Sequence, residues 1–186
     1  MMKNNNAKLE TTYEIASVLL TAILAVGIIF TFFFKMSTVS GQSMENTLRN
    51  GDNLLITSIT TQIKQGDVVV VSQPNGYEKV LIKRVIAVGG QTVTFDSKTG
   101  KTIIDGEIID EPYIKEKARY TYSMSKTYVV PYGKIFVMGD NRNNSADSRD
   151  VAVGMIDENY VMGKVLYRLG DTSLFNSELK ESKNGW

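Results

Sequence analysis

One long apolar run and a series of short ones divide the chain into two unlike parts. Residues 15–34 carry no charged side chain, and about 20 apolar residues can cross a bilayer core as a helix. After Lys35 the pattern changes to short apolar runs separated by glycine, asparagine and aspartate. Such spacing predicts a domain built mainly from β-strands. We therefore expect a membrane-spanning helix followed by a β-rich domain.

A cleaved signal peptide is the alternative interpretation of the long run. The apolar core of a signal peptide is usually only about 7–15 residues and precedes a small-x-small site. Val39 and Gly41 offer only a weak site of that kind, so the longer run favours a retained anchor.

The basic residues suggest an orientation for this anchor. Lys3 and Lys8 precede the span and only Lys35 directly follows it, which weakly favours a cytoplasmic amino terminus. The expected order is a cytoplasmic segment at 1–14, a transmembrane helix at 15–34 and an extracytoplasmic domain at 35–186, giving a single-pass protein of the cell membrane.

Eight short segments after Lys35 have the composition of strands. Asn75-Gly76 is a two-residue hairpin signal, and residues 96–100 form a second predicted hairpin turn. Residues 106–126 are polar and predict a loop, and the polar tail from Gly170 is expected to fray. A barrel or a folded sheet is the expected architecture. The predicted strands are 54–56, 68–71, 80–88, 92–95, 101–104, 128–130, 134–138 and 161–169.

Composition removes several function classes. The 186 residues include no histidine and no cysteine, which argues against disulfides, thiolate catalysis and a zinc site. The chain has 21 basic and 20 acidic residues, a net charge of +1. It therefore lacks the excess of basic residues that would predict nucleic-acid binding. A serine nucleophile here would lack the histidine of a Ser-His-Asp triad. The remaining strong base is a lysine that has lost its proton.

Ser43 follows the predicted span by a few residues, in the stretch Gly41-Gln42-Ser43-Met44-Glu45-Asn46-Thr47-Leu48. A single serine in a loop is ordinarily a turn or capping residue. Gly41 allows close backbone approach, which supports a nucleophile at Ser43 only mildly.

Lys83 interrupts the apolar run 80–88. If side chains alternate along a strand, Lys83 shares a face with Leu81, Val85 and Ala87, and Arg84 points to the other face. Burial there would disfavour the ammonium and lower its pKa, leaving an amine able to accept the Ser43 proton. The alternative is an edge strand whose lysine reaches water or deters aggregation.

Residues 138–149 form a third unusual stretch, dense in asparagine, aspartate, serine and arginine. Such side chains can fix a loop by bonding its own backbone. A solvated polar loop and a metal-binding loop are the alternatives. The spacing departs from the calcium-loop pattern and lacks its bidentate glutamate, so calcium is discounted.

Taken in order, the three stretches resemble the type I signal peptidases, the bacterial leader peptidases. The shared motifs are S-M-x-x-T-L-x-x-G-D after the span, K-R within an apolar strand, and G-D-N-R-x-x-S-x-D-S-R. The resemblance covers the anchor and nearly the whole β domain, and the last motif is highly specific. It implies a predominantly β catalytic domain, folded or barrel-like, with its active site near the membrane surface.

The resemblance also implies roles for individual residues. Ser43 corresponds to the nucleophile and Lys83 to its general base, while Ser145 is similar to the residue that orients the lysine. The remaining charged residues correspond to those that hold the polar loop against the catalytic strands, with Arg84 as a partner for one aspartate. These loop charges are Asp140, Arg142, Asp147 and Arg149.

Three positions depart from the family pattern. Asn46 stands where a proline is usual, residues 87–90 lack the usual aspartate after the lysine strand, and Gly41 replaces a serine whose hydroxyl helps stabilise the oxyanion in some relatives. Backbone N–H groups, that of Ser43 with one nearby, are then the expected oxyanion donors. The short segment between Lys83 and Gly139 resembles the compact Gram-positive forms.

The implied activity is removal of signal peptides from exported preproteins. The expected substrates have small-x-small cleavage sites, for which Gly41 and Ala87 would leave shallow apolar pockets, and they pair with a strand edge by β-augmentation. We expect a monomer on the lipid bilayer that needs no metal or cofactor and binds no nucleic acid.

Two rival functions use the same residues. A self-cleaving repressor-type protease shares serine/lysine chemistry, but the span occupies the place of its DNA-binding domain. A catalytically inactive, membrane-anchored interaction domain on the same fold would keep the motifs without the activity.

Overall fold

The computed structural model describes residues 2–58, 62–72, 79–119 and 126–169. It divides the chain into two compact units, one ending at Lys35 and one beginning at Met36. The first unit contains the predicted span and the second contains the predicted β domain.

Helix α1 runs from Met2 to Phe33. Its segment Glu10–Phe33 has a mean hydropathy of 2.6 and is long and apolar enough to cross a membrane. The Thr31 hydroxyl donates a hydrogen bond to the Gly27 carbonyl at 2.8 Å, so this polar group is satisfied within the helix, as an apolar surrounding requires. The helix ends one residue earlier than the predicted span, because Phe34 begins the first strand.

Within the described residues, eleven strands form two sheets. The larger has the order β1-β2-β11-β3-β4-β9-β10, and the smaller has the order β7-β6-β5-β8. A short 3-10 helix at Glu158–Tyr160 joins β10 to β11. The strands are β1 Phe34–Thr38, β2 Asn53–Thr57, β3 Val68–Val71, β4 Leu81–Val88, β5 Thr92–Phe95, β6 Thr102–Ile104, β7 Glu107–Ile108, β8 Lys126–Val129, β9 Lys134–Met138, β10 Ile156–Asp157 and β11 Val161–Leu169.

The predicted fold class, mainly β after one apolar amino-terminal helix, is confirmed. All eight predicted strands are present, although some of their ends move by one or two residues. Strands β1, β7 and β10 were not predicted, because they are polar or only two residues long. The Asn75-Gly76 turn and the tail from Gly170 lie outside the described residues.

Strand β4 lies inside the larger sheet, between β3 and β9. The alternative that Lys83 lies on an edge strand is therefore wrong. The register with β9 shifts between Val85 and Ala87, so simple alternation fails there. Leu81 and Val85 share one core cluster while Ala87 packs in another, and Ala87 is fully buried. The expectation that Ala87 lines a shallow substrate pocket is also wrong.

The core reaches beneath the turn that carries Ser43. Met44 and Leu48 are buried in one cluster with Leu54 and Ile56 of β2 and with Val165 of β11. Fully burying a side chain of this size contributes about 1.5–3 kcal/mol. These two side chains therefore fix the position of the turn relative to the sheet.

Candidate active site

The turn that carries Ser43 is pinned at several points besides its core side chains. Gly41 has a φ of +102°, a conformation that favours glycine, and its N–H donates to the Asn50 side chain at 2.9 Å. The Asn141 N–H donates to the Ser43 carbonyl at 3.0 Å. The Ser43 hydroxyl is thus presented from a fixed backbone, with Met44 pointing into the core.

Lys83 approaches Ser43 from strand β4. Its Nζ lies 2.7 Å from the Ser43 Oγ and donates to the Ile82 carbonyl at 3.1 Å. The lysine is only 3% exposed. Two residues 40 positions apart in the sequence are therefore in direct hydrogen-bond contact.

Burial determines the charge state of this lysine. Desolvation lowers the pKa of Lys83 from 10.5 to about 8, because the ammonium loses its hydration. Asp147 and Asp140 oppose this by favouring the cation, and Arg149 assists it. Desolvation outweighs the two carboxylates, so a substantial neutral fraction exists near physiological pH.

Arg84, the next residue of β4, forms a two-point ion pair with Asp140. Arg84 Nε lies 2.9 Å and Nη2 lies 2.8 Å from the Asp140 carboxylate, and both residues are 1% exposed or less. Thr47 also donates its hydroxyl to Asp140. The expected partnership of Arg84 with a loop aspartate is present, and Asp140 joins β4 to the Ser43 turn.

The other aspartate of the polar loop holds the loop's own backbone. Asp147 accepts two hydrogen bonds from the Arg149 guanidinium, each at 2.8 Å, and one from the Gly139 N–H at 3.0 Å. Arg149 also donates to the Arg142 carbonyl at 2.7 Å. These charge-assisted bonds close the loop on itself.

Gly139 allows the polar loop to approach the Ser43 turn. A Cβ at this position would lie 2.4 Å from the Ser43 carbonyl and 2.4 Å from the Ser145 Oγ. The Ser145 hydroxyl is buried and forms no hydrogen bond in the described part of the chain. The structure thus brings Ser145 against Gly139 but does not show the expected hydrogen bond to Lys83.

The partner of Arg142 comes from the segment predicted as a featureless loop. Arg142 pairs with Glu111 and donates its Nε to the Gly139 carbonyl at 3.1 Å. Tyr113 lies beside this pair and donates its hydroxyl to Glu111 at 3.1 Å. Sequence reasoning missed Glu111 and Tyr113, since nothing in a polar stretch indicates which of its residues become buried.

The sequence model of the family described as signal peptidase, peptidase S26, matches residues 12–169. The chain belongs to this signal peptidase family. Family membership makes the protein a serine peptidase, a hydrolase, and confirms the resemblance recognised from the three motifs.

Several signal peptidases are similar in sequence to this protein over most of its length. Signal peptidase I of Bacillus licheniformis is 32% identical over 173 residues, covering 87% of this chain and 89% of the relative. Signal peptidase I T of Bacillus subtilis is 34% identical, with 87% and 86% covered. Signal peptidase IB of Staphylococcus aureus is 32% identical over 193 residues, with 89% and 98% covered.

A solved structure of the family is also similar. The crystal structure of a signal peptidase I from Enterococcus faecalis aligns with a TM-score of 0.46 and 26% identity, covering 55% of this chain and 96% of that one.

In this signal peptidase the site combines a hydroxyl with a desolvated amine. A neutral amine 2.7 Å from a serine Oγ is within reach to accept its proton. The apolar helix Glu10–Phe33 fits a membrane-anchored member of the family.

Proposed function

We propose that the protein is a membrane-anchored serine endopeptidase that removes amino-terminal signal peptides from exported preproteins, with Ser43 as nucleophile and Lys83 as general base. The 2.7 Å contact between Lys83 Nζ and Ser43 Oγ, buried within the sheet, is the observation that carries the proposal. The family assignment and the motif positions support the same roles.

The proposed reaction begins with proton transfer. Neutral Lys83 takes the Ser43 proton as the Oγ attacks the scissile carbonyl carbon. The lysine, now an ammonium, returns the proton to the leaving amine. Water, deprotonated by the neutral amine, then attacks the ester carbonyl. The resulting ammonium donates its proton to the departing Ser43 Oγ, which releases the signal peptide with its new carboxylate and restores both Ser43 and neutral Lys83.

The oxyanion requires donors that are not already engaged. In the described residues the Ser43 N–H donates no hydrogen bond, whereas the Gly41 N–H is committed to Asn50. We assign the Ser43 N–H as one donor. Gly41, two residues earlier, is exposed and has no side chain that would cover this N–H. Backbone donors of this kind act where negative charge develops.

Ser145 has the role of orienting Lys83 in this proposal. Its buried hydroxyl has no competing partner in the described residues and belongs to the same loop as Asp140 and Asp147. Those two aspartates, with Arg84, Arg142 and Arg149, hold the loop against β4 and the Ser43 turn.

The proposed topology places residues 1–14 in the cytoplasm, the span at 15–34, and the peptidase domain outside. An anchored enzyme meets its substrate at the bilayer surface, where the precursor's cleavage site emerges. Anchoring therefore raises the effective concentration of enzyme for membrane-borne precursors.

The test is cleavage of a preprotein by the full chain in detergent. Ser43→Ala is expected to abolish processing while the protein still inserts and folds. Ser40→Ala, at an exposed serine three residues earlier, is the matched control and should retain activity. Cleavage by Ser43→Ala near the wild-type rate would show that another residue attacks. Absence of cleavage by the wild type would favour the inactive interaction domain.

A further inference from the structure

A segment between β7 and β8 lies along the polar loop next to the active site. We define residues 111–119 as the docking segment. The Lys115 N–H donates to the Asp140 carbonyl at 3.0 Å. Further along, the Arg119 N–H donates to the Asn143 side chain at 2.8 Å, and Asn143 in turn donates to the Lys117 carbonyl at 3.1 Å. The segment is thus hydrogen-bonded to the loop at its middle and at its carboxyl end.

Tyr113 of the docking segment lies against two guanidinium groups. Its ring centroid is 4.1 Å from the Arg84 Cζ and 5.9 Å from the Arg142 Cζ. Burial, reinforced by Glu111, raises the pKa of the Tyr113 phenol, so the hydroxyl stays protonated and donates to Glu111. The face of an aromatic ring is negative and attracts a cation, most strongly where water is excluded.

Arg84 is the cation that links the ring to the catalytic pair. It follows Lys83 on β4 and holds Asp140 at two points. Asp140 in turn binds Thr47 of the Ser43 turn. A continuous series of contacts therefore runs from the Tyr113 ring to both sides of the site.

We propose that Tyr113 is a positioning residue for the Ser43–Lys83 pair, acting through Arg84 and Asp140. The inference rests on the proposed function, because it assigns to Tyr113 the support of that same pair. The Tyr113 ring keeps the Arg84 guanidinium in the orientation that neutralises Asp140. Asp140 is thereby held where it accepts the hydrogen bond from Thr47.

Loss of the Tyr113 ring should change the pKa of Lys83 in a defined direction. The charged groups of the polar loop that act on Lys83 are Asp140, Asp147 and Arg149, and Arg84 lies beside it on β4. If Arg84 disengages, Asp140 is less neutralised and favours the ammonium more strongly. The pKa of Lys83 then rises, and the alkaline rise of activity moves to higher pH.

The experiment varies the electrostatics of the ring at nearly constant shape in the full-length protein. Position 113 is changed to Phe, to ring-trifluorinated Phe and to Leu, and preprotein cleavage is measured from about pH 6 to about pH 10. Tyr132→Leu is the matched control, because Tyr132 is an 89% exposed tyrosine before β9. Ser43→Ala is assayed in parallel.

Tyr113→Phe should keep activity close to wild type, since the ring face remains. The trifluorinated ring and Leu should lower kcat/KM by about tenfold or more, as loss of a desolvated cation–π contact predicts, and should shift the pH profile upward. Tyr132→Leu should change neither.

Equal activity and identical pH profiles for the Phe and trifluorinated variants would overturn the proposal, even if Tyr113→Leu fails to fold. A uniform fall in rate without a shift of the pH profile would also overturn it, because it would indicate a merely structural role. Normal cleavage by Ser43→Ala would instead refute the proposed function, so the two failures are distinguishable.

Discussion

The neutral fraction of Lys83 determines how much base is available to Ser43. With a pKa of about 8, roughly one lysine in ten is neutral at about pH 7, against roughly one in 3,000 for an unperturbed amine. Burial on β4 thus increases the neutral fraction of Lys83 by about 300-fold at that pH. A pKa close to the working pH also suits a general base.

The expected consequence is a rate that rises with pH. In detergent, kcat/KM of the full chain for a preprotein should be low in acid, rise through about pH 8 and level off above it, following the pKa of Lys83. A rising limb near the unperturbed pKa of about 10.4 would show that burial does not tune this amine.

Substitutions of Lys83 distinguish its positive charge from its ability to accept a proton. Lys83→Arg retains a cation, but a guanidinium does not deprotonate in a protein, so it should be as inactive as Lys83→Ala. Lys83→Met should fold and be equally inactive, because a thioether is not a proton acceptor of useful strength. Substantial cleavage by Lys83→Arg would refute the serine/lysine mechanism.

The same pKa shift predicts how stability depends on pH. Because the folded pKa of Lys83 lies below its unfolded value, the unfolded chain binds more protons between the two, and the free energy of unfolding rises with pH in that window. Relative to Lys83→Met, the wild type should gain about 3 kcal/mol between about pH 8 and 10.5, at 1.36 kcal/mol per pH unit. Thermal or denaturant unfolding of both proteins in detergent measures the difference, in which all shared groups cancel. A constant difference across this range would contradict a desolvated lysine.

Three further predictions follow from the site, its substrate and the anchor. Asp140→Asn should lower the free energy of unfolding by about 3–5 kcal/mol, because it leaves the charge of the buried Arg84 uncompensated. Lys115→Gln, which removes a partly exposed ion pair, should lower it by about 1 kcal/mol or less. Similar losses for the two variants would show that burial does not distinguish the two ion pairs. The enzyme should cut after small-x-small segments, so efficient cleavage of a peptide series with Phe or Leu before the cut would contradict the proposed specificity. Deleting residues 15–34 should leave a folded domain that processes liposome-borne precursors poorly, and equal rates for the anchored and truncated forms would argue against a role for the anchor.

Elements whose signal is local could be predicted from the amino-acid sequence alone. A charge-free run of bilayer length predicts the apolar helix, because that hydropathy is independent of tertiary partners. The strands 68–71, 92–95, 134–138 and 161–169 were predicted with the bounds that the structure gives, since each β-type run is delimited by turn residues. The absence of histidine, read with the three motifs, was enough to single out Ser43 and Lys83 as candidates.

The contact between those residues depends on how distant segments of the chain pack together. Lys83 is buried because β4 lies between β3 and β9, and strand order cannot be obtained from alternation along one segment. The shift in register after Val85, which places Ala87 in the core, is likewise a property of strand pairing. Glu111 and Tyr113 become important through long-range contacts with Arg84 and Arg142. A polar sequence does not specify such contacts, because burial depends on what the rest of the chain packs around it.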